Sequence, residues 1–159
     1  MKKENVKKYF EELGIKFVVH KHPAVYTVEE ANKYIKGDKF LHCKNLFVKD
    51  RKSRRFYLII LPAEKKLSLN DFENELNEKL KFANEKDLEE ILDIYPGAVS
   101  PFTLINDKEH KVIVVVDKDI FDSEKVGFHP NDNTETWEIS SEGLKKYLDS
   151  LDNEMRIIK

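Results

Sequence analysis

The sequence is short of the residues that define several protein classes. It has one cysteine, which excludes an internal disulfide framework and is typical of a reducing compartment. Only five glycines and five prolines occur in 159 residues, as in an ordinary globular protein. No apolar run approaches the length of a membrane span, and the N-terminal MKKENVKKYF lacks the apolar segment of a signal peptide. We therefore expect a cytoplasmic protein without a membrane partner.

An excess of positive charge is also missing, since the net charge is −2. Proteins that coat long stretches of nucleic acid usually carry a strong positive excess. Any nucleic acid would therefore be bound through a local patch. One candidate is KDRKSRR at 49–55, which has five cations and one acid. The same run also fits the solvated tip of a β-hairpin, and the sequence leaves both interpretations open.

Familiar catalytic motifs are lacking as well. There is no glycine-rich phosphate loop, no G-x-S-x-G and no carboxylate pair of recognisable spacing. With one cysteine and no histidine pair at helical i, i+4 spacing, we expect no metal site. Cys43 lies beside Lys44, and a neighbouring cation can lower the pKa of a thiol. A lone cysteine on an apolar strand is nevertheless more typical of a core position.

Hydrophobic periodicity and end signals predict an alternation of helices and strands. The predicted helices cover residues 6–13, 27–37, 68–80, 84–92 and 140–151. The predicted strands cover residues 16–20, 45–50, 56–61, 80–83, 102–107, 111–117 and 136–140. Two hairpins are expected, one turning at the basic 49–55 run and one turning at Asp107-Lys108.

This irregular order favours one α+β domain over residues 1–159, with a mixed, mostly antiparallel central sheet surrounded by helices. The run VIVVV at 112–116 indicates a central strand that is covered on both faces.

Two polar passages stand out from this pattern. PGAVSPF at 96–102 contains an ordinary turn signal, Pro96-Gly97, but also fits backbone that is shaped to hold a ligand. GFHPNDNT at 127–134 could place amides and an imidazole at the rim of a pocket, or could satisfy its own backbone as a turn. Reasoning from the residues leaves both alternatives open.

Five motifs in order carry a family resemblance: HPAVYTVEEA (22–31), KNLFVKD (44–50), PGAVSPF (96–102), LIND (104–107) and GFHPNDNT (127–134). Together they resemble the aminoacyl-tRNA editing domains, a family that includes YbaK and the insertion domain of bacterial prolyl-tRNA synthetase. The resemblance runs from about residue 5 to residue 151, and it is strongest to the freestanding ProX-type deacylases.

The resemblance implies hydrolysis of the ester that joins a wrong amino acid to the 3′ end of tRNA, without a cofactor. ProX-type relatives remove alanine from tRNA(Pro), because a synthetase pocket that holds proline also admits a smaller apolar group; missing methylenes cost only about 1–3 kcal/mol each. The YbaK branch removes cysteine, and its loop typically has a Gly-Gly-Cys pattern where this chain has GAVSP. This difference in the loop favours alanine as the amino acid that is removed.

Two alternatives stay open. One is a deacylase for another small amino acid, cysteine or serine, and the other is a noncatalytic tRNA-binding module. The implied partners are the acceptor end of tRNA(Pro) and, transiently, prolyl-tRNA synthetase.

The resemblance also assigns residues to roles. Its glycine and proline loop positions are met by Gly97 and Pro101, its lysine and asparagine by Lys44 and Asn45, and its histidine by His129. The expected catalytic group is Lys44, Gly97, Ser100, Pro101 and His129. The expected substrate-binding group is Asn45, Val28, Leu46, Ala98, Val99, Phe128 and Asn131. The expected tRNA-binding group is Arg51, Lys52, Arg54 and Arg55.

One conflict is visible within these assignments. Lys44 and Asn45 are consecutive, so in a regular strand they face opposite sides. Both reach one pocket only if the strand bulges or ends there.

Overall fold

A computed structural model of the chain describes residues 3–21, 40–94, 99–128 and 134–158. These residues form a sheet of eight strands with helices packed against it. The strands are β1 (Phe17–Lys21), β2 (Leu41–Asp50), β3 (Phe56–Pro62), β4 (Leu80–Phe82), β5 (Val112–Asp117), β6 (Lys125–Phe128), β7 (Glu135–Ser140) and β8 (Met155–Ile158).

The strands follow the order β1-β7-β6-β2-β3-β5-β8, and β4 pairs with β2 outside this path. Four of the described strand pairs are antiparallel and three are parallel. The predicted α+β fold with a mixed, mostly antiparallel sheet is confirmed. The predicted hairpin of β2 and β3 around the basic run is confirmed as well.

The described helices are α1 (Lys3–Leu13), α2 (Leu69–Leu76), α3 (Glu85–Asp87), α4 (Lys118–Asp122) and α5 (Ser141–Ser150). A π-helical turn (Leu88–Leu92) continues α3, and a 3-10 helix (Pro101–Asn106) precedes β5. The predicted helix at 27–37 lies outside the described residues.

Local residues explain where α1 and α2 stop. Gly14 follows α1 with φ of 71°, a left-handed conformation that suits glycine. A capping box of Ser68 and Asp71 begins α2, and Asn77 ends it with φ of 53°. Because α2 stops before Asn77 rather than at residue 80, Leu80 is free to begin β4.

The core has two parts, on the two faces of the sheet. On what we call the first face, the rings of Phe10, Phe102, Trp137 and Tyr147 pack edge-on or tilted, with centroids 5.3 Å apart for Phe10 and Phe102. On the second face, Val48, Tyr57, Ile59, Leu61 and Val115 pack under Phe72 of α2.

Alternate residues of β3 and β5 belong to the two core parts, so both strands are covered on both faces. The prediction of a central, doubly covered strand at 112–116 is therefore confirmed.

The predicted hairpin turning at Asp107-Lys108 is wrong. Residues 101–106 form the 3-10 helix rather than a strand, so β5 has no partner there. Ser100 caps this helix and Pro101 occupies its first turn, where a missing N–H costs nothing. The apolar run Phe102–Leu104 is fully buried, and periodicity cannot distinguish a short buried helix from a short buried strand.

No helix in the described ranges combines the length and the apolar composition that crossing a bilayer requires.

Candidate active site

Strand β2 changes its neighbour along its length, and this creates the candidate site. One side of β2 pairs with β3 throughout residues 43–49. On the other side, Leu41 and His42 pair with β6, whereas residues 48–50 pair with β4. On this second side, between β6 and β4, the backbone of residues 43–46 pairs with no described strand. We call this stretch the open edge of β2.

Asn45 ties the open edge to the middle of the PGAVSPF passage. Its Nδ2 donates a hydrogen bond to the carbonyl oxygen of Val99, at 3.3 Å. Its Oδ1 is buried and has no hydrogen-bond partner among the described residues. A buried acceptor without a donor lowers the stability of the fold by about 1–3 kcal/mol. Binding of a ligand that donates a hydrogen bond to Oδ1 would therefore be favoured here.

The chain after Val99 is firmly held. Ser100 is fully buried, and its Oγ accepts a hydrogen bond from the N–H of Phe102 at 3.1 Å. The hydroxyl of Thr103 donates to the carbonyl of Ser100 at 2.6 Å, and the hydroxyl of Tyr147 donates to the carbonyl of Pro101 at 2.7 Å. The hydroxyl of Ser100 therefore has a structural contact, and the C-terminal part of the loop is anchored to α5 through Pro101.

The register of β2 resolves how Lys44 and Asn45 are arranged. Cys43, Lys44 and Asn45 pair with consecutive residues of β3, so the strand neither bulges nor ends. Asn45 lies on the first face with Phe47, and Lys44 lies on the second face with Leu46 and Val48. Because no strand among the described residues pairs with this side of β2 at residues 43–46, both side chains border the open edge, from opposite faces.

Two expected pocket walls lie close to this edge. Leu46 is partly buried and packs against the second-face core. Phe128 ends β6, is 2% exposed, and packs its ring 5.7 Å from that of Phe102. Phe128 is therefore placed in the core rather than at an open surface. The remaining expected site residues, Val28, Gly97, Ala98, His129 and Asn131, lie outside the described residues.

The chemistry of Cys43 differs from that of a nucleophile. Burial raises the pKa of its thiol well above the ordinary value, although a hydrogen bond from the backbone of Gly127 opposes the shift. Its side chain packs against the first-face core, and Sγ lies 3.5 Å from the carbonyl oxygen of Leu41. The prediction of a core cysteine is confirmed.

The basic hairpin tip begins at the opposite end of β2. The carboxylate of Asp50 accepts hydrogen bonds from the backbone N–H groups of Lys52, Arg54 and Arg55, at 3.3, 2.6 and 2.8 Å. Burial alone would raise the pKa of Asp50, but these donors hold it below its ordinary value. The carboxylate of Asp50 therefore closes the hairpin turn.

The four expected tRNA-binding cations are not equivalent. Arg55 is paired with Glu78, its Nε lying 2.9 Å from Oε1, and Glu78 also accepts the hydroxyl of Tyr57. Arg51, Lys52 and Arg54 are exposed and form no ion pair within the described parts of the chain. Three cations are thus available to a polyanion, and the fourth is partly engaged.

Sequence reasoning missed the residues that support the site. Tyr147 and Thr103 anchor the loop, and Glu78 orients Arg55. Tyr147 lies with Leu144 and Leu148 on the apolar stripe of α5, a pattern that indicates only a core position. No signal in the sequence connects these side chains to residues so distant along the chain.

Comparison with known proteins bears on the classification of the chain. The profile of the family described as aminoacyl-tRNA editing domain matches residues 22–147. Prolyl-tRNA editing protein ProX of Acetoanaerobium sticklandii is 36% identical over 150 residues, which cover 94% of this chain and 92% of that protein. Prolyl-tRNA synthetase associated domain-containing protein 1 of Mus musculus is 35% identical over 135 residues, which cover 82% and 79%.

Two solved structures share the fold. Hypothetical protein APE2540 has a TM-score of 0.73 at 18% identity, and the match covers 98% of this chain and 97% of that one. A candidate trans-editing enzyme for prolyl-tRNA synthetase has a TM-score of 0.72 at 17% identity, with 99% and 96% covered. At these identities the two structures bear on the fold alone. The family profile and the sequence relatives decide the classification: the chain belongs to the aminoacyl-tRNA editing domain family and is a deacylase, an aminoacyl-tRNA ester hydrolase.

Proposed function

We propose that this deacylase edits mischarged tRNA(Pro) in trans and that its main substrate is alanyl-tRNA(Pro). The relative that matches 94% of the chain is named as a prolyl-tRNA editing protein, which supports tRNA(Pro) as the nucleic acid. The GAVSP sequence at 97–101 supports alanine, because the cysteine-removing branch typically has a different loop. Transient contact with prolyl-tRNA synthetase would deliver the mischarged product.

The observation that carries the proposal is the unsatisfied Asn45 beside the anchored loop. An aminoacyl ester presents two donors next to its reacting carbonyl, the α-ammonium group and a ribose hydroxyl. Either one can donate to Oδ1 of Asn45 while Nδ2 keeps its bond to Val99. Asn45 would then set the ester at a defined distance from the loop backbone.

The reaction itself needs little from the protein. The ester is already activated, so a positioned water can attack the carbonyl without a covalent intermediate. The oxyanion that develops requires donors, and the N–H groups of the 97–101 loop are the proposed source; one such donor is typically worth about 2.7–4 kcal/mol. Anchoring through Ser100, Pro101 and Tyr147 supports this role, because donors must be held in place before the charge appears.

Other side chains take supporting roles in the proposal. Lys44 supplies a positive charge to the terminal phosphate or the ester from the second face of β2. His129 orients the water or the ribose, or acts as a general base near neutral pH. Ser100 positions the loop and does not touch the substrate, since its side chain is fully buried.

A deacylation assay on alanyl-, cysteinyl-, seryl- and prolyl-tRNA(Pro) tests the proposal. We expect alanyl-tRNA(Pro) to be hydrolysed fastest and prolyl-tRNA(Pro) to be spared. A second panel with alanine on a different tRNA separates recognition of the amino acid from recognition of the nucleic acid. Faster hydrolysis of the cysteinyl or seryl ester would replace the proposed amino acid, and no hydrolysis of any ester would refute the proposed function.

A further inference from the structure

We propose that β4 and the residue before it form a second RNA contact, in which Lys79 and Lys81 bind backbone phosphates and the ring of Phe82 stacks on an unpaired base. This inference rests on the proposed function, because the RNA is the acceptor end of the tRNA. The proposed contact extends the basic surface from the hairpin tip toward the open edge of β2.

The position of β4 connects the two regions. Leu80 pairs with Asp50 at the base of the hairpin turn, and Phe82 pairs with Val48. The ion pair of Arg55 with Glu78 joins the turn to the residues that lead into β4. At the other end, the N–H of Ala83 donates to the carbonyl of Phe47 at 3.0 Å, just before the open edge begins. A strand of RNA that follows β4 would therefore run from the hairpin tip to the candidate active site.

The charges along this path are unbalanced in favour of cations. Lys79 and Lys81 are exposed and have no ion pair in the ranges that the structure covers. The neighbouring acids are already engaged. Asp87 pairs with Lys49 at 2.6 Å, and Glu73 accepts the N–H of Leu80 at 2.7 Å.

The cations of this region, Lys49, Arg51, Lys52, Arg54, Arg55, Lys79 and Lys81, outnumber the acids Asp50, Glu73, Glu78 and Asp87 by seven to four, so the net charge of β4 and the tip is positive. Phosphates complement a surface of this kind.

Phe82 adds an aromatic surface. It is 59% exposed, although the neighbouring Leu80 on the same face is buried in the core. Exposed rings next to cations form the platforms that hold single-stranded nucleic acids, because every base has a face that can stack. Alternate side chains of an edge strand point to both faces, so Lys79 and Lys81 would hold phosphates on the first face and Phe82 a base on the second.

A second copy of the chain is the competing occupant of this edge. Exposed edge strands can pair with one another, and lysines on an edge oppose such pairing. Lys79 and Lys81 therefore argue against a self-associating edge and leave RNA as the occupant that matches both the charge and the ring.

Binding of uncharged tRNA(Pro) tests the inference separately from turnover. The variants are Phe82→Leu, Phe82→Trp and the double variant Lys79→Ala/Lys81→Ala. The matched control is Lys8→Ala/Lys108→Ala, which removes two other exposed lysines without an ion pair in the described residues. Dissociation constants are measured over a series of salt concentrations, with melting temperatures to verify the fold.

We expect Phe82→Leu to weaken binding about 5- to 150-fold, the range for loss of one stacked base, and Phe82→Trp to bind at least as tightly as wild type. The double variant should flatten the slope of log K against log salt by about 1.4, or about 0.7 for each phosphate contact, whereas the control should keep the slope. Wild-type affinity and slope in both Phe82→Leu and the double variant would overturn the inference. So would new self-association of the double variant with unchanged tRNA binding, or an absence of tRNA binding by the wild type. Failure of the proposed function would instead be seen as missing deacylation.

Discussion

The middle and the C-terminal end of β2 carry polar side chains that are satisfied in opposite ways. At the hairpin end, Asp50 accepts three backbone hydrogen bonds within its own turn. About 17 Å away along the strand, Asn45 makes one hydrogen bond, and its buried Oδ1 makes none with the described residues. A polar group that the fold satisfies contributes to stability. A polar group that the fold leaves unsatisfied is available to a ligand, and its cost is borne by the folded protein.

The largest expected effect is the loss of activity in Asn45→Ala. We expect kcat/KM on alanyl-tRNA(Pro) to fall about 10²- to 10³-fold, the usual result of removing a group that holds the reacting carbonyl in place. Stability should change by about 1 kcal/mol or less, because one hydrogen bond is lost together with the unsatisfied acceptor. Steady-state kinetics and thermal melting measure the two quantities, with Asn74→Ala on the exposed side of α2 as control. A large loss of stability with full activity in the folded fraction would show that Asn45 supports the fold and does not hold the ester.

Asp50→Ala should show the reverse pattern. We expect a loss of about 2–3 kcal/mol in the free energy of unfolding, because hydrogen bonds to a charged acceptor are lost, and kcat should be unchanged. Denaturant titration measures the stability. A fall in kcat as large as the fall in kcat/KM of Asn45→Ala would contradict the proposed separation between Asp50 and the site at Asn45.

The pH dependence of stability sharpens this test. Folding lowers the pKa of Asp50, so its stabilisation is complete above the pKa of the unfolded chain, about 3.9, and is lost as pH falls through the folded value. The stability difference between wild type and Asp50→Asn should therefore be constant above about pH 5 and shrink below about pH 4. A difference that stays constant down to pH 2 would show that the charge of Asp50 does not contribute.

Lys44→Ala should lower kcat/KM about 10- to 100-fold, the worth of one charged hydrogen bond, and should leave the fold intact. Lys44 borders the open edge from the second face, so its partial exposure makes a packing role small. Lys44→Arg, which keeps the charge, should recover part of the activity. Near-normal turnover in Lys44→Ala would remove this residue from the active site.

Neutralising the hairpin tip should affect binding more than chemistry. The triple variant Arg51→Ala/Lys52→Ala/Arg54→Ala should raise KM more than it lowers kcat, because these side chains lie at the far end of β2 from Asn45. Its salt slope for tRNA binding should flatten by about 0.7–0.9 for each phosphate contact that is lost. Arg55→Ala alone should have a smaller effect on the slope, since Glu78 already neutralises part of its charge. Equal slopes for wild type and the triple variant would show that these cations do not contact the tRNA and that the basic run is a solvated hairpin tip.

The smallest effect is expected at Cys43, beside Lys44. Cys43→Ser should keep deacylase activity within about threefold of wild type, because a positioned water needs no thiolate and burial keeps this thiol protonated. Thiol-reactive reagents should likewise leave the native enzyme active. Complete loss of turnover in a folded Cys43→Ser protein would reopen covalent catalysis.

Local signals in the sequence were sufficient to predict those helices and strands that have strong end signals. Gly14 ends α1 and the basic run joins β2 to β3, as predicted. The same reasoning failed for residues 102–107, where a short apolar run fits a buried helix as well as a strand, and it did not identify β8. That strand is four residues long and pairs in parallel with β5, a contact that no local pattern encodes.

The sequence by itself determined that Lys44 and Asn45 face opposite sides of a strand, because side chains alternate along any extended backbone. It also determined, through five ordered motifs, the family of the protein. Only the tertiary structure decided that both side chains border one opening, since this depends on where β6 stops and β4 begins beside β2. The burial of Oδ1 of Asn45 was likewise decided by packing. Strand pairing joins residues that are far apart along the chain, and its register is set by the whole sheet rather than by the segment that carries the site.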